Sequence, residues 1–391
     1  MNYFEKWERS ILASYSTPSI VLVKGSGVKV IDEHGKQYLD FLAGIAVNSL
    51  GHAHPAIVKA VTKQVETLGH VSNLAINKPS VDLAMKLLDL LQMPGGRIFF
   101  CNSGAEANEA AFKLARAYKP ESEMVSVEGG FHGRTMGALS VTGQPEKQEP
   151  FKPLLSNVRF AKMNDATSID SAINPKTGGI WLESIQGEAG VIPATAEFIS
   201  ASFRAAEQNN ALIVMDEVQT GIARTGNWFG FEKFGVKPHL VPLAKGLGGG
   251  IPIGALAVQD SLVEAIKPGG HGTTFGGNPI GAAAGLAVIE TIEQLDLMKH
   301  VQLAEVEIRE LLENEHGVVE VRGSGLLLGV VLSGNYAKLV EENARQNGLI
   351  VNAVRPNVIR LAPPLIVTMD EIKEGMDVLR NAITKSMEVV S

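Results

Sequence analysis

The spacing of apolar residues changes along this chain, and each change marks a different kind of element. Residues 20–23, 28–31 and 38–40 are short apolar runs cut by Gly and Asp, which predicts a small antiparallel unit. Pro55 then opens a stretch with Ile57, Val58, Val61 and Val65 at helical spacing, and Pro79 opens another with Leu83, Leu87 and Leu90. From Arg97 onward, apolar runs at 98–101, 124–127, 179–183, 211–216, 240–244 and 254–258 have helical stretches between several of them. Most of these runs are apolar at successive positions, as strands buried on both faces must be. After Asn278-Pro279 the pattern becomes α+β. It predicts helices at 280–295, 299–315, 336–347 and 369–387 and strands at 318–322, 326–332 and 358–361. The expected fold is α/β, with a mostly parallel central sheet and a smaller α+β domain. The expected division is 51–288 for the large domain, with 1–50 and 289–391 forming the small one.

Composition narrows the function classes. Apolar residues make up 45% and charged residues 20% of the 391, ordinary for a folded protein with a large core. The net charge is −7 and there is no basic block, which argues against nucleic acid as a partner. The single cysteine, Cys101, excludes a disulfide framework and a multi-cysteine metal site, and fits a reducing compartment. The first fifteen residues do not read as a signal peptide, and no run has membrane-spanning character. A cytoplasmic protein without a metal site or membrane partner is therefore expected.

Two charged residues stand at the ends of predicted buried strands: Asp216 after Leu212–Met215, and Lys245 after Leu243-Ala244. In α/β sheets such strand ends are where ligands bind. A lysine that can condense with an aldehyde, together with an aspartate that can face a ring nitrogen, suits pyridoxal phosphate. Either residue alone would read as a turn cap or a solvated strand end. Other segments add to the pattern. Asn102 through Glu109 follow a strand and open a helix. Ser103 with Glu106 reads as a capping box, and the free N–H groups of Gly104 and Ala105 would hold a phosphate. Phe131 can stack on a ring, and Arg134 can pair with a carboxylate. His132 has no metal partners nearby and reads as structural or as supporting a site residue, not as a ligand. Glu183 and Glu188 are read as neutralising arginines of the site, Val218 as packing on the ring face, and Gln219 as a donor to the ring oxygen. Thr273 and Thr274 lie in a Gly-rich loop suited to a phosphate, in the same or a second subunit, and Arg360 ends a strand of the smaller domain.

Seven ordered motifs carry a family resemblance over nearly the whole chain: NSGAEANEAAFKLAR, FHGRTMGALSVTGQ, ESIQGEAGV, MDEVQTGIARTG, LAKGLGGGIPIGA, GTTFGGNP and IRLAPPL. The chain resembles the class III, fold-type I pyridoxal-phosphate aminotransferases, most closely those acting on acetylornithine. The resemblance makes Lys245 the cofactor lysine and Asp216 the ring-nitrogen aspartate. It places Gln219 near the ring oxygen, Phe131 on the ring face, and Gly104 and Ala105 on the phosphate, with Thr274 donated across a homodimer. It assigns Arg134 to the α-carboxylate of acetylornithine and Arg360 to that of glutamate and 2-oxoglutarate. Glu188 becomes the residue that pairs with Arg360, and Thr273 a substrate-side hydroxyl. The implied reaction is the ping-pong transfer of the terminal amino group of N2-acetyl-L-ornithine to 2-oxoglutarate, in arginine biosynthesis. Ornithine, succinylornithine, 4-aminobutyrate and succinyl-diaminopimelate are the alternative amines. Departures from the family pattern are Ala105 for Thr, Ser184 for Pro, His239 for Asp, and Gly44 where ornithine-specific relatives carry Tyr. Ser184 is expected to loosen its turn, and Gly44 to leave room for an acylated amine.

Overall fold

The computed structural model describes residues 1–390. Its centre is a seven-stranded sheet in the order Arg97–Cys101, Gly254–Val258, Leu240–Leu243, Leu212–Met215, Thr177–Leu182, Glu123–Val127, Val158–Ala161. Gly254–Val258 is antiparallel to both of its neighbours, and the remaining pairs are parallel. Thr177–Leu182, Leu212–Met215 and Leu240–Leu243 are buried at every position, which is why they read as continuous apolar runs. Met215 lies opposite Leu182, so Asp216 and Glu183 emerge side by side at the carboxyl edge.

Side-chain caps fix where several flanking helices begin. Ser103 caps Gly104–Tyr118, Asn77 caps Lys78–Leu90, and Asn278 caps Pro279–Gln294. The last helix buries Gly281, Ala282, Ala284 and Gly285, and a Cβ on Gly285 would lie 3.0 Å from Leu83. Small residues thus let it pack close against Lys78–Leu90.

Two four-stranded sheets, with a two-stranded ribbon of Ile185–Gln186 and Ile192–Pro193, complete the frame. One joins Leu22–Ser26, Lys29–Asp32 and Gln37–Asp40 to Leu349–Ile350, which pairs in parallel with Gln37–Asp40. The antiparallel unit expected near the N-terminus is therefore closed by a strand from more than three hundred residues later. The other sheet is Val318–Ser324, Leu327–Leu332, Val358–Leu361 and Asn352–Arg355. No helix among the described residues is long and apolar enough to cross a membrane.

Several elements lie outside the sequence expectation. Tyr3–Ser10 is a helix with an Asn2–Glu5 capping box, but it buries nothing and so left no apolar stripe. Val158–Ala161 and Asn352–Arg355 are strands that are mostly half-buried, without a continuous apolar run. Residues 43–46 form a left-handed turn, with φ of 50° at Ala43, 63° at Gly44, 68° at Ile45 and 61° at Ala46. Asp40 caps it by accepting from the N–H groups of Leu42 and Ala43 at 3.0 and 2.8 Å.

Candidate active site

A cavity of about 610 Å³ opens at the carboxyl edge of the central sheet. Ser103, Gly104, Ala105, Phe131, Arg134, Glu188, Asp216, Val218, Gln219 and Lys245 all line it. So do Gly44, Ile45, Lys147 and Glu183. Arg360 reaches the site through Glu188, with Nη1 2.5 Å from Oε1. Thr273 joins the rim by accepting from Asn102 Nδ2 at 3.3 Å. Thr274 is exposed and is not part of this chain's own cavity lining.

Asp216 is 5% exposed and held at both oxygens. Its Oδ1 accepts from the Val218 N–H at 3.0 Å, and its Oδ2 meets Asn108 Nδ2 at 2.8 Å and His132 Nδ1 at 2.7 Å. His132, read from sequence as structural or as supporting a site residue and not as a ligand, is a direct partner of Asp216. Burial pulls its imidazole pKa down, but Asp216, with Glu183 further off, leaves it raised overall. Asn108 was missed, because on a helix its amide gives no sign of reaching a strand 108 residues away.

Lys245 follows the Leu240–Leu243 strand with φ +44°, a left-handed conformation rarely adopted by a residue with a side chain. Burial, reinforced by Arg360, lowers its pKa against the opposing pull of Glu188, Asp216 and Glu183. A lysine so depressed has more of the free amine that attacks an aldehyde.

The end of the cavity suited to a phosphate is built by the helix at Gly104. Ser103 Oγ accepts from the Glu106 N–H at 3.2 Å, but Glu106 does not close a capping box. Its carboxylate reaches back one residue further, to the Asn102 N–H at 2.5 Å. Gly104 and Ala105, whose N–H groups are the first of the helix and lack an intrahelical partner, line the cavity with the positive end of the helix dipole. A Cβ on Gly104 would lie 2.6 Å from Val218, so the helix start and the residue after the Asp216 strand pack without space for any side chain there. Gln219 Oε1 is buried with no protein partner, which leaves that amide available to a ligand. A planar aldehyde heterocycle with a phosphate tail fits this donor set.

The two glutamates separate in role. Glu188 pairs with Arg360; burial raises its pKa, but Arg360 outweighs this and holds it below the ordinary value. Glu183 meets no arginine, contrary to the sequence reading. It accepts from the Phe131 N–H at 3.1 Å, and burial with Asp216 nearby pushes its pKa up to about 8. Ser184 also differs from expectation. It donates to Glu217 Oε1 at 3.0 Å, and Glu217 further accepts from Thr220 and from the Gly230 and Phe231 N–H groups. The serine ties its turn down instead of loosening it. Gly44 sits in the left-handed turn, where its φ of 63° suits a residue without Cβ. Among the described residues no cluster of His, Cys, Asp or Glu could hold a metal.

Comparison with known proteins agrees with this geometry. The family model described as aminotransferase class-III matches residues 11–383. The chain is 46% identical over 387 residues to the acetylornithine aminotransferase of Streptomyces coelicolor, covering 98% of this chain and 96% of that one. It is likewise 46% identical to that of Mycobacterium tuberculosis strain H37Rv, covering 93% and 91%. Among solved structures, the ornithine aminotransferase of Toxoplasma gondii superposes with a TM-score of 0.94 at 27% identity, covering 99% of this chain and 95% of that one. A second structure of that enzyme, with pyridoxal phosphate partly occupying the active site, gives a TM-score of 0.93 at 27% identity, with 99% and 94% covered. Sequence motifs, sheet order and cavity chemistry converge, and the chain belongs to the class-III aminotransferases.

Proposed function

We propose that this enzyme transfers the terminal amino group of N2-acetyl-L-ornithine to 2-oxoglutarate, giving N-acetyl-L-glutamate 5-semialdehyde and L-glutamate, as a step of arginine biosynthesis. The observation that carries the reading is the Arg360–Glu188 pair on the same cavity as Lys245 and Arg134. Acetylornithine brings its only carboxylate at the end distant from the reacting amine, where Arg134 can take it. Arg360 then needs another anion, and Glu188 supplies it. Glutamate brings a carboxylate beside the reacting carbon, which displaces Glu188 and takes Arg360, while its second carboxylate uses Arg134. Gly44 supports an acylated substrate by leaving that part of the wall without a side chain.

Pyridoxal phosphate, when bound, carries the amino group between the two half-reactions and draws electrons from the substrate carbon. With the cofactor bound, Asp216 would face the ring nitrogen and favour a proton there. Gln219 would reach the ring oxygen, Phe131 and Val218 would bound the ring, and Ser103, Gly104 and Ala105 would hold the phosphate. Lys245 anchors the aldehyde and moves the proton at the substrate carbon. Thr274 completes the phosphate site of a partner subunit, and Thr273 lies on the substrate side. The enzyme works as a homodimer in the cytoplasm. Residues 51–288 form the large domain and 1–50 with 289–391 the small one, as supported by the parallel pairing of Leu349–Ile350 with Gln37–Asp40.

The deciding experiment is single-turnover amino transfer from a panel of acetylornithine, ornithine, succinylornithine, succinyl-diaminopimelate and 4-aminobutyrate. The highest specificity constant is expected for acetylornithine. A preference for free ornithine would overturn the substrate assignment and leave the aminotransferase reading standing.

A further inference from the structure

Asn108 is fully buried on the Gly104–Tyr118 helix and does not line the cavity. Its amide makes three hydrogen bonds. Oδ1 accepts from Trp181 Nε1 at 3.1 Å, and Nδ2 donates to Asp216 Oδ2 at 2.8 Å and to the Gly104 carbonyl at 3.1 Å. An indole N–H can only donate, so the amide oxygen must face Trp181. The two amide hydrogens then face the two acceptors. Flipping the amide would set its NH2 against a donor and its oxygen against a carboxylate and a carbonyl. Trp181 is itself 0% exposed, on the Thr177–Leu182 strand opposite Val214, two residues before Asp216. The orientation of Asn108 is therefore dictated by the central sheet. Gly104 starts the helix whose first residues line the cavity, so one amide ties that helix start to the Asp216 carboxylate.

We infer that Asn108 is a positioning residue for amino transfer: locked by Trp181, it fixes the Asp216 carboxylate relative to the helix start at Gly104, keeping the ring-nitrogen and phosphate ends of the cradle in one register. The inference rests on Asp216 being the ring-nitrogen partner. Asn108 also supplies one of the hydrogen bonds that hold the Asp216 carboxylate, beside His132 and Val218.

The test uses Asn108→Ala, Asn108→Asp, Trp181→Phe and the Asn108→Ala/Trp181→Phe double variant, with Asp216→Asn as reference. Readouts are the dissociation constant of pyridoxal phosphate, the single-turnover rate at saturating amine, the apparent amine affinity, and the melting temperature of the cofactor-free protein. Asn108→Ala should weaken cofactor binding and slow the single turnover by about 10- to 100-fold, as expected for losing one hydrogen bond to a charged group. Amine affinity should stay within about twofold, because the substrate does not touch Asn108. Asn108→Asp keeps the volume and an acceptor for Trp181, but turns a donor toward Asp216 into an acceptor. With oxygen set against Asp216 and the Gly104 carbonyl, it should lose at least as much cofactor affinity and rate as alanine; Trp181→Phe, which leaves the groups around Asp216 in place, covers the case where both Asn108 variants fold poorly. Trp181→Phe removes the lock, so it should move both readouts in the same direction by less. The double variant should be no worse than Asn108→Ala alone. A lower melting temperature with unchanged cofactor affinity and rate would overturn the inference, and so would simple additivity in the double variant. If Asp216→Asn is crippled while the Asn108 variants are not, only the positioning role falls. If Asp216→Asn keeps its rate, the reading of Asp216 fails and takes the inference with it.

Discussion

Glu188 and Arg360 close a bridge between two sheets, with Oε1 2.5 Å from Nη1. Arg360 lies on the Val358–Leu361 strand, and Glu188 in the turn between Ile185–Gln186 and Ile192–Pro193. The guanidinium is 2% exposed; Asn352 Oδ1 takes Nη2 at 2.8 Å, and Nε has no partner. A cation this deeply buried needs an anion at all times. The side chain of Glu188 retains 26% exposure, so it is the partner that can swing away.

Exchange of partners at Arg360 makes the two half-reactions separable. Arg360→Ala should slow the glutamate half-reaction selectively, by about 2–5 kcal/mol in transition-state terms, as for truncation of one partner of a buried charge pair. Arg134→Ala should harm both half-reactions. Glu188→Ala should leave Arg360 open and shift preference from acetylornithine to glutamate. Single-turnover rates in each direction decide the matter, and equal losses in both for Arg360→Ala would refute the division of labour.

Lys245→Ala should fold yet lose amino transfer by several orders of magnitude, since proton transfer by a positioned side chain alone is worth about 10²–10⁴-fold. Asp216→Asn should keep most of its stability and lose much of its rate, because the ring-nitrogen proton goes with the carboxylate charge. Hydrogen exchange at the substrate Cα, measured with cofactor saturated, reports this directly. Exchange near the wild-type rate would remove Asp216 from the ring nitrogen.

Residues whose chemistry depends on their own strand or helix were legible in the sequence. Asp216 and Lys245 end apolar runs, and Ser103 announces a helix start. What was not legible depends on distant approach. Asn108, His132 and Trp181 meet Asp216 or one another only because helix and strands from separate segments pack together. Glu183 and Glu188 look alike in ESIQGE, yet one faces Arg360 and the other the Phe131 backbone. The left-handed turn at 43–46 also gave no signal, because only Gly44 among its residues favours positive φ. Six of the seven central strands were legible in order of occurrence, the half-buried Val158–Ala161 being the exception, whereas the pairing of Leu349–Ile350 with the N-terminal strands was not, since two residues carry no periodicity.

Stability should carry a pH signature of Glu183. Its carboxyl holds a proton to about 8 in the folded chain, against an ordinary value of 4.5. Between those values the folded state binds more protons than the unfolded one, so this group's contribution falls as pH rises. Glu183→Gln mimics the protonated form. It should match wild type near pH 5 and be more stable near pH 9, where the wild-type carboxylate has been forced to ionise in place. Urea midpoints at both pH values test this. A difference between variant and wild type that does not change with pH would show that Glu183 is already ionised.

An apolar surface lies beside the Gly-rich loop. Leu74 is 95%, Ile76 89% and Phe275 59% exposed, in segments joined to one another. Asn73 Nδ2 donates to the Gly276 carbonyl and Asn77 Nδ2 to that of Gly277, at 3.1 and 3.2 Å, and the His70 and Phe275 rings lie 5.0 Å apart. Large apolar side chains held this far into water on a braced frame are what a protein–protein contact would cover. Thr274 stands on the same loop, beside that face and not in its own chain's cavity. A two-fold dimer through the face would present it to the partner's phosphate site. Leu74→Glu with Ile76→Glu should therefore give a monomer by sedimentation and weaken cofactor retention. Mixing inactive Lys245→Ala with an inactive Thr274 variant tests the sharing itself. Each mixed dimer would hold one doubly damaged site and one intact site, so up to half of the wild-type activity per mixed dimer should return. Proven subunit exchange without recovered activity would place Thr274 outside the partner's site.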